Sequence, residues 1–120
     1  MDHGRGPAFR RGMDLAHTLC AAVAGGPLGG TEAGRQLRRA AVSVPSLVGE
    51  AFVDPGGPEA AAALSQASAK LTEVAALLWL EPVRETLPES ERESLLADIE
   101  ALRSELEELL AGLGGAGRHA

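Results

Sequence analysis

Apolar residues recur along this chain at steps of three and four, the spacing that keeps side chains on one side of an α-helix. Over residues 31–53 the apolar line is Leu37, Ala41, Val44, Val48 and Phe52. Arg39, Ser43, Ser46 and Glu50 follow the same steps on the opposite side, so the segment predicts an amphipathic helix with an ordered polar stripe. Over 8–24 the seam is Phe9, Met13, Ala16, Cys20 and Val23, with Leu15, Leu19 and Ala22 forming a second apolar line. Over 58–80 it is Leu64, Ala67, Leu71, Val74 and Leu78, preceded by the alanine run Ala60–Ala63 that lets a partner helix come close. Over 87–113 the heptad pattern is Leu95, Ile99, Leu102, Leu106, Leu109 and Leu113.

The punctuation between these segments agrees with four helices. Gly25–Gly30 ends the first, and Thr31 stands where an N-cap belongs, with Glu32 favourable at the positive helix end. Asp54–Pro58 separates the second and third, and Pro58 suits a first helical turn. Pro82 closes the third or kinks its last turn, Thr86 and Glu89 have capping-box spacing, and Gly112 and Gly114 end the fourth. Residues 1–7 and 114–120 are glycine-rich and expected to be disordered. The predicted fold is all-α: an antiparallel, up-down-up-down four-helix bundle over residues 8–113.

Pro45 is the unusual choice. Inside a helix, proline removes one backbone bond and crowds the carbonyl four residues back, here that of Ala41, at a cost of ~3 kcal/mol. Ser43 and Ser46 flank the break and are placed to bond the freed carbonyls.

The run Gln36–Ala51, QLRRAAVSVPSLVGEA, resembles the signature of small bacterial four-helix-bundle proteins. These include the proteins encoded by 23S rRNA intervening sequences and the accessory variability determinants of diversity-generating retroelements. Their second helix typically reads QLRRAxxSIPxNIAEG. Gln36, Leu37, Arg38, Arg39, Ala40, Ser43, Pro45 and Glu50 match; Val44 and Val48 replace isoleucine, Leu47 asparagine, Gly49 alanine and Ala51 glycine. The third helix loosely resembles the family's A-x-G-S-L-x-E: Ala67, Leu71 and Glu73 match, whereas Ala69 and Lys70 replace Gly-Ser. Over residues 9–113 the resemblance implies the same bundle, assembly as a ring-shaped homo-oligomer, with pentamers, and nucleic-acid binding by a basic surface in some members.

Charge bears on that last point. Residues 1–53 hold six arginines against four acids, a net of +2; residues 54–120 hold five basic against thirteen acidic residues, a net of −8. A chain of overall charge −6 repels phosphate at long range, so only a patch on the first half can bind nucleic acid. Arginine outnumbers lysine ten to one, which a GC-rich genome also produces. Cys20 is the single cysteine, so no internal disulfide forms and a reducing cytoplasm is expected. No segment offers ~20 uncharged apolar residues to span a membrane.

Arg35, Arg38 and Arg39, with Arg10 and Arg11, are the only basic cluster. Guanidinium groups grip phosphate oxygens bidentately; the plainer role is ion pairing with the acidic fourth helix or with Glu50 of a neighbour. Arg39, Ser43, Ser46, Leu47 and Glu50 form either a seam between subunits or a solvated face. His17 and Cys20 are one turn apart, but no third metal ligand stands at helical spacing and Cys20 reads as core. Glu73 matches the family's third helix, or simply pairs with Lys70. Glu105, Glu107 and Glu108 read as a solvated face, and Trp79 as core or as a partner's anchor. No nucleophile-base grouping, phosphate-cradling loop or paired buried carboxylates point to catalysis, and no cofactor is expected. The expected function is a non-enzymatic scaffold that self-assembles and binds a partner protein. The alternative is an RNA- or DNA-binding accessory using Arg35, Arg38 and Arg39, as for retroelement relatives that pair with a reverse transcriptase and its RNA.

Overall fold

The computed structural model describes the backbone of residues 5–119 and the side chains of residues 6–113. It is all-α, and no strand occurs among the described residues. Helix α1 spans Arg5–Ala24, a 3-10 turn Pro27–Gly30, α2 Glu32–Ala51, α3 Pro58–Leu77, α4 Glu81–Thr86 and α5 Glu89–His119. Helix α2 packs on α1 and α3, and α5 packs on the same two. The molecule is elongated, 51 × 22 × 21 Å. At 1.5 Å per residue, the 31 residues of α5 account for ~46 Å of the long axis.

Helix α2 forms where the apolar line predicts, and Leu37, Ala41, Val44 and Val48 are buried. Thr31 caps it: its hydroxyl oxygen accepts from Gly34 N–H at 3.0 Å and its O–H donates to the Leu28 carbonyl at 2.8 Å. The cap therefore joins the 3-10 turn to the first turn of α2. Pro45 is buried inside a helix that runs on unbroken. Ser43 O–H donates to the Ala40 carbonyl at 2.6 Å, one residue before the carbonyl that the proline deprives of its donor. Gly12 of α1 faces this point, where a Cβ would stand 3.6 Å from Val44 Cγ1 and 3.7 Å from Pro45 Cα. At those distances a Cβ would make ordinary van der Waals contact, so α1 and α2 pass closely at this point.

Helix α1 differs from the seam predicted for it. Ala16 and Val23 of that seam are buried, together with Ala8, Gly12, Leu15 and Leu19, whereas Phe9 and Met13 are exposed and Cys20 is half-buried. Two apolar lines competed for the interior. Leu15 and Leu19 of the second line are buried together with Ala16 and Val23 of the first, so the inward face lies between the two lines.

The third and fourth segments also differ at their junction. Helix α3 stops at Leu77, and Pro82 opens the short helix α4 instead of closing α3. Thr86 is not a cap for α5; its O–H donates back to the Pro82 carbonyl at 2.8 Å within α4. Leu78, Val83 and Leu87 turn inward here, closing the end of the core. At the chain's ends, α1 begins at Arg5, earlier than residue 8, and the α5 backbone stays helical past Gly112 and Gly114 to His119. Residues 1–4 and 120 lie outside the described residues.

Candidate functional site

The sequence singles out the outward face of α2, and the structure sorts its residues. Arg35, Arg38, Arg39 and Val42 line an open depression of ~420 Å³ together with Cys20 of α1. The three arginines are brought together because 35, 38, 39 and 42 fall within one side of the helix, next to the last turns of α1.

They are not equivalent. Arg35 is tied down: Nε and Nη2 donate to Glu32 Oε1 at 3.2 and 2.8 Å, and Nη1 donates to the Gly30 carbonyl at 3.3 Å. Gln36 Nε2 donates to Glu32 Oε2 at 3.3 Å. The hydrogen bond from Arg35 is the main reason the Glu32 carboxyl is held below its ordinary value; the Gln36 bond and the charges of Arg35 and Arg39 add to it. Arg38 and Arg39 are exposed and have no ion pair or hydrogen bond among the described residues.

Arg10 and Arg11 do not join this group. They line a separate depression with Gly6, Pro7 and Asp14 near the start of α1, and Arg11 pairs with Glu105 of α5. The expected pairing with the acidic last helix is thus made by Arg11, not by the α2 trio.

Of the polar stripe, Arg39, Ser46 and Glu50 are exposed, while Ser43 and Leu47 are half-buried. Leu47 packs against the core, so it is not a free surface leucine. The exposed apolar residues of this surface are others: Val42 at 49%, Met13 at 48% and Phe9 at 38%. Phe9 lies over the far end of α2, with Cε1 3.6 Å from where a Cβ on Gly49 would stand. Val42 was legible, since it stands three residues after Arg39 and four before Ser46. Phe9 and Met13 were not, because they read equally well as core.

The remaining candidates separate. His17 is exposed and Cys20 half-buried, and no three of His, Cys, Asp and Glu gather among the described residues. Glu73 pairs with Lys70 at 3.4 Å on an exposed surface. Glu105 is half-buried on Arg11, whereas Glu107 and Glu108 are exposed. Trp79 is 53% exposed, with the Arg92 guanidinium 4.9 Å and that of Arg84 6.0 Å from its ring centroid. Arg92 is itself buried; its Nε has no hydrogen-bond partner, and its Nη2 lies 3.9 Å from Glu89. No described helix is long and apolar enough to cross a membrane.

Comparison with family models, with curated proteins and with solved structures finds no match to this chain.

Proposed function

We propose that the chain is a non-enzymatic, self-assembling four-helix bundle that serves a partner protein as scaffold or accessory. The bundle reading is supported by contacts whose position rises along one helix as it falls along its neighbour. Between α1 and α2, Phe9 approaches Gly49, Gly12 faces Val44 and Pro45, and Cys20 shares its depression with Arg38. Between α1 and α5, Arg11 pairs with Glu105 while Asp14, Leu15 and Thr18 share a depression with Asp98. Between α3 and α5, Leu64 shares a groove with Leu109, and Trp79 stacks on Arg92. Opposed neighbours joined by short connections are what an up-down-up-down bundle requires, with α4 as a turn inserted before the last helix.

One observation carries the self-assembly. The α1–α2 surface exposes Phe9, Met13 and Val42, together with Arg38 and Arg39, which have no ion pair or hydrogen bond among the described residues. Large apolar side chains grouped on a surface mark contact with another macromolecule. The ring of five copies rests on the family resemblance alone. Native mass measured across a wide concentration range tests the assembly: a mass above one chain supports it, and a single-chain mass throughout rejects it.

The second reading is a nucleic-acid-binding accessory, and the unpaired Arg38 and Arg39 favour it. Here the test is a gel shift with RNA and DNA at low salt. Binding that weakens steeply with salt and disappears in Arg38→Glu with Arg39→Glu supports this reading. Absence of a shift at low salt removes it.

A further inference from the structure

The outward stripe of α2 is charged in opposite senses at its two ends. Arg39 stands on the N-terminal side with Arg35 and Arg38 beside it; Glu50 stands on the C-terminal side, followed by Asp54. Arg39 and Glu50 are eleven residues apart, three helical turns or ~16 Å, and neither has an ion pair or hydrogen bond among the described residues. Between them lie Val42 and the short side chains of Ser43 and Ser46; on α1, the exposed Met13 follows Gly12, which faces Val44 and Pro45.

We infer that this stripe is a self-complementary interface, and that its occupant is the same stripe of a second copy laid antiparallel. A two-fold axis passing α2 between residues 44 and 45 sets Arg39 opposite Glu50 of the other copy, twice. The same axis sets Ser43 opposite Ser46 and Val42 opposite Leu47. Short side chains at the centre let the two helices come close, and Val42 and Met13 become covered. The parallel alternative stacks Arg39 on Arg39 and is repelled. A surface patch that complements itself closes a two-fold dimer, whereas a ring needs two different patches on each subunit. The proposal rests on the self-assembly reading and departs from the five-fold ring that the resemblance implies.

The test is the mass of the full chain by sedimentation equilibrium, with helix content checked by circular dichroism in every variant. Wild type is expected at twice the 12.3 kDa of one chain. Arg39→Glu and Glu50→Arg each set two like-charged pairs across the axis and are expected to weaken the dimer by about tenfold or more. The double variant restores opposite charges in swapped places and is expected to recover wild-type association to within about threefold, as coupled residues do. Single reversals that leave association unchanged, or a double variant no better than the singles, overturn the α2 pairing while self-assembly stands. A five-chain mass kept by all variants does the same. A wild-type mass of one chain at the highest concentration overturns both.

Discussion

The backbone of Gly34 in α2 lies so close to the carbonyl of Leu28 that a Cβ on the glycine would overlap the carbonyl oxygen. That oxygen also accepts from the Thr31 hydroxyl and from the Thr31 N–H, at 2.8 and 3.0 Å. The 3-10 turn is thereby pressed onto the first turn of α2. In an ordinary helix, glycine to alanine adds up to ~1 kcal/mol of stability. Here the sign reverses. Gly34→Ala is expected to destabilise by ~1–3 kcal/mol, the usual cost of forcing atoms into a packed site. Urea denaturation followed by circular dichroism reads the difference, and a stabilised variant would contradict the packing described.

Thr31 carries the same junction from the other side. Thr31→Ala removes both the acceptor for Gly34 N–H and the donor to Leu28, and should cost ~1 kcal/mol, as helix N-caps do. Thr31→Ser keeps the hydroxyl and should lose only a few tenths of that. A serine variant as damaged as the alanine variant would place the effect in the lost methyl group and not in the cap.

Helix α1 invites a comparison of two substitutions. Leu19 is fully buried, whereas Met13 is half exposed. Leu19→Ala is expected to cost ~2–5 kcal/mol. Met13→Ser should stay within about 0.5 kcal/mol in the unassembled chain, as exposed positions do. Equal costs at the two sites, measured by denaturant titration at low concentration, would restore the seam that the spacing alone predicts.

That contrast shows what the sequence could carry. Helices α2, α3 and α5 each have one dominant apolar line, so their inward faces follow from spacing. Helix α1 has two, and the choice belongs to its neighbours, to Gly12 passing Pro45 and Leu15 and Leu19 meeting the core. Pro82 shows the same limit locally, since a proline that ends one helix and one that begins the next look alike in sequence. The arginines of α2 could be grouped from their spacing. Which of them is neutralised depends on Glu32 and the Gly30 carbonyl for Arg35, and Arg11 reaches Glu105 only through the packing of α1 on α5. The Trp79–Arg92 stack joins the end of α3 to the start of α5 and had no signature along the chain.

The buried Arg92 yields an unusual expectation. Its Nε is buried without a partner, which costs ~1–3 kcal/mol, while its contact with the partly exposed Trp79 ring contributes ~0.5–2 kcal/mol. The ion pair to Glu89, at 3.9 Å on an exposed carboxylate, adds little. Arg92→Met fills a similar volume without the polar atoms. It should leave stability within about 1 kcal/mol of wild type or raise it, whereas Arg92→Ala opens a cavity and should destabilise. Trp79 is the only tryptophan, so its emission reports directly whether the ring keeps its position in each variant.

Glu32 supplies the pH dependence. Its carboxyl is lowered from 4.5, first by the hydrogen bond from Arg35 and then by Gln36 and the nearby arginine charges. A carboxyl whose folded pKa lies below its unfolded pKa binds fewer protons folded than unfolded, so its contribution is complete above the unfolded value. It is lost as pH falls from about 4.5 through the lower folded value. Glu32→Gln should therefore weaken the chain at neutral pH and flatten the acid side of its stability profile, with no change in shape above pH ~6. The carboxylate is fully exposed, so the difference from wild type should be small and shrink with added salt. Thermal unfolding of both proteins from pH 3 to pH 7, at low and high salt, reads this directly. Parallel acid limbs for the two proteins would show that Arg35 does not hold Glu32 in the folded state.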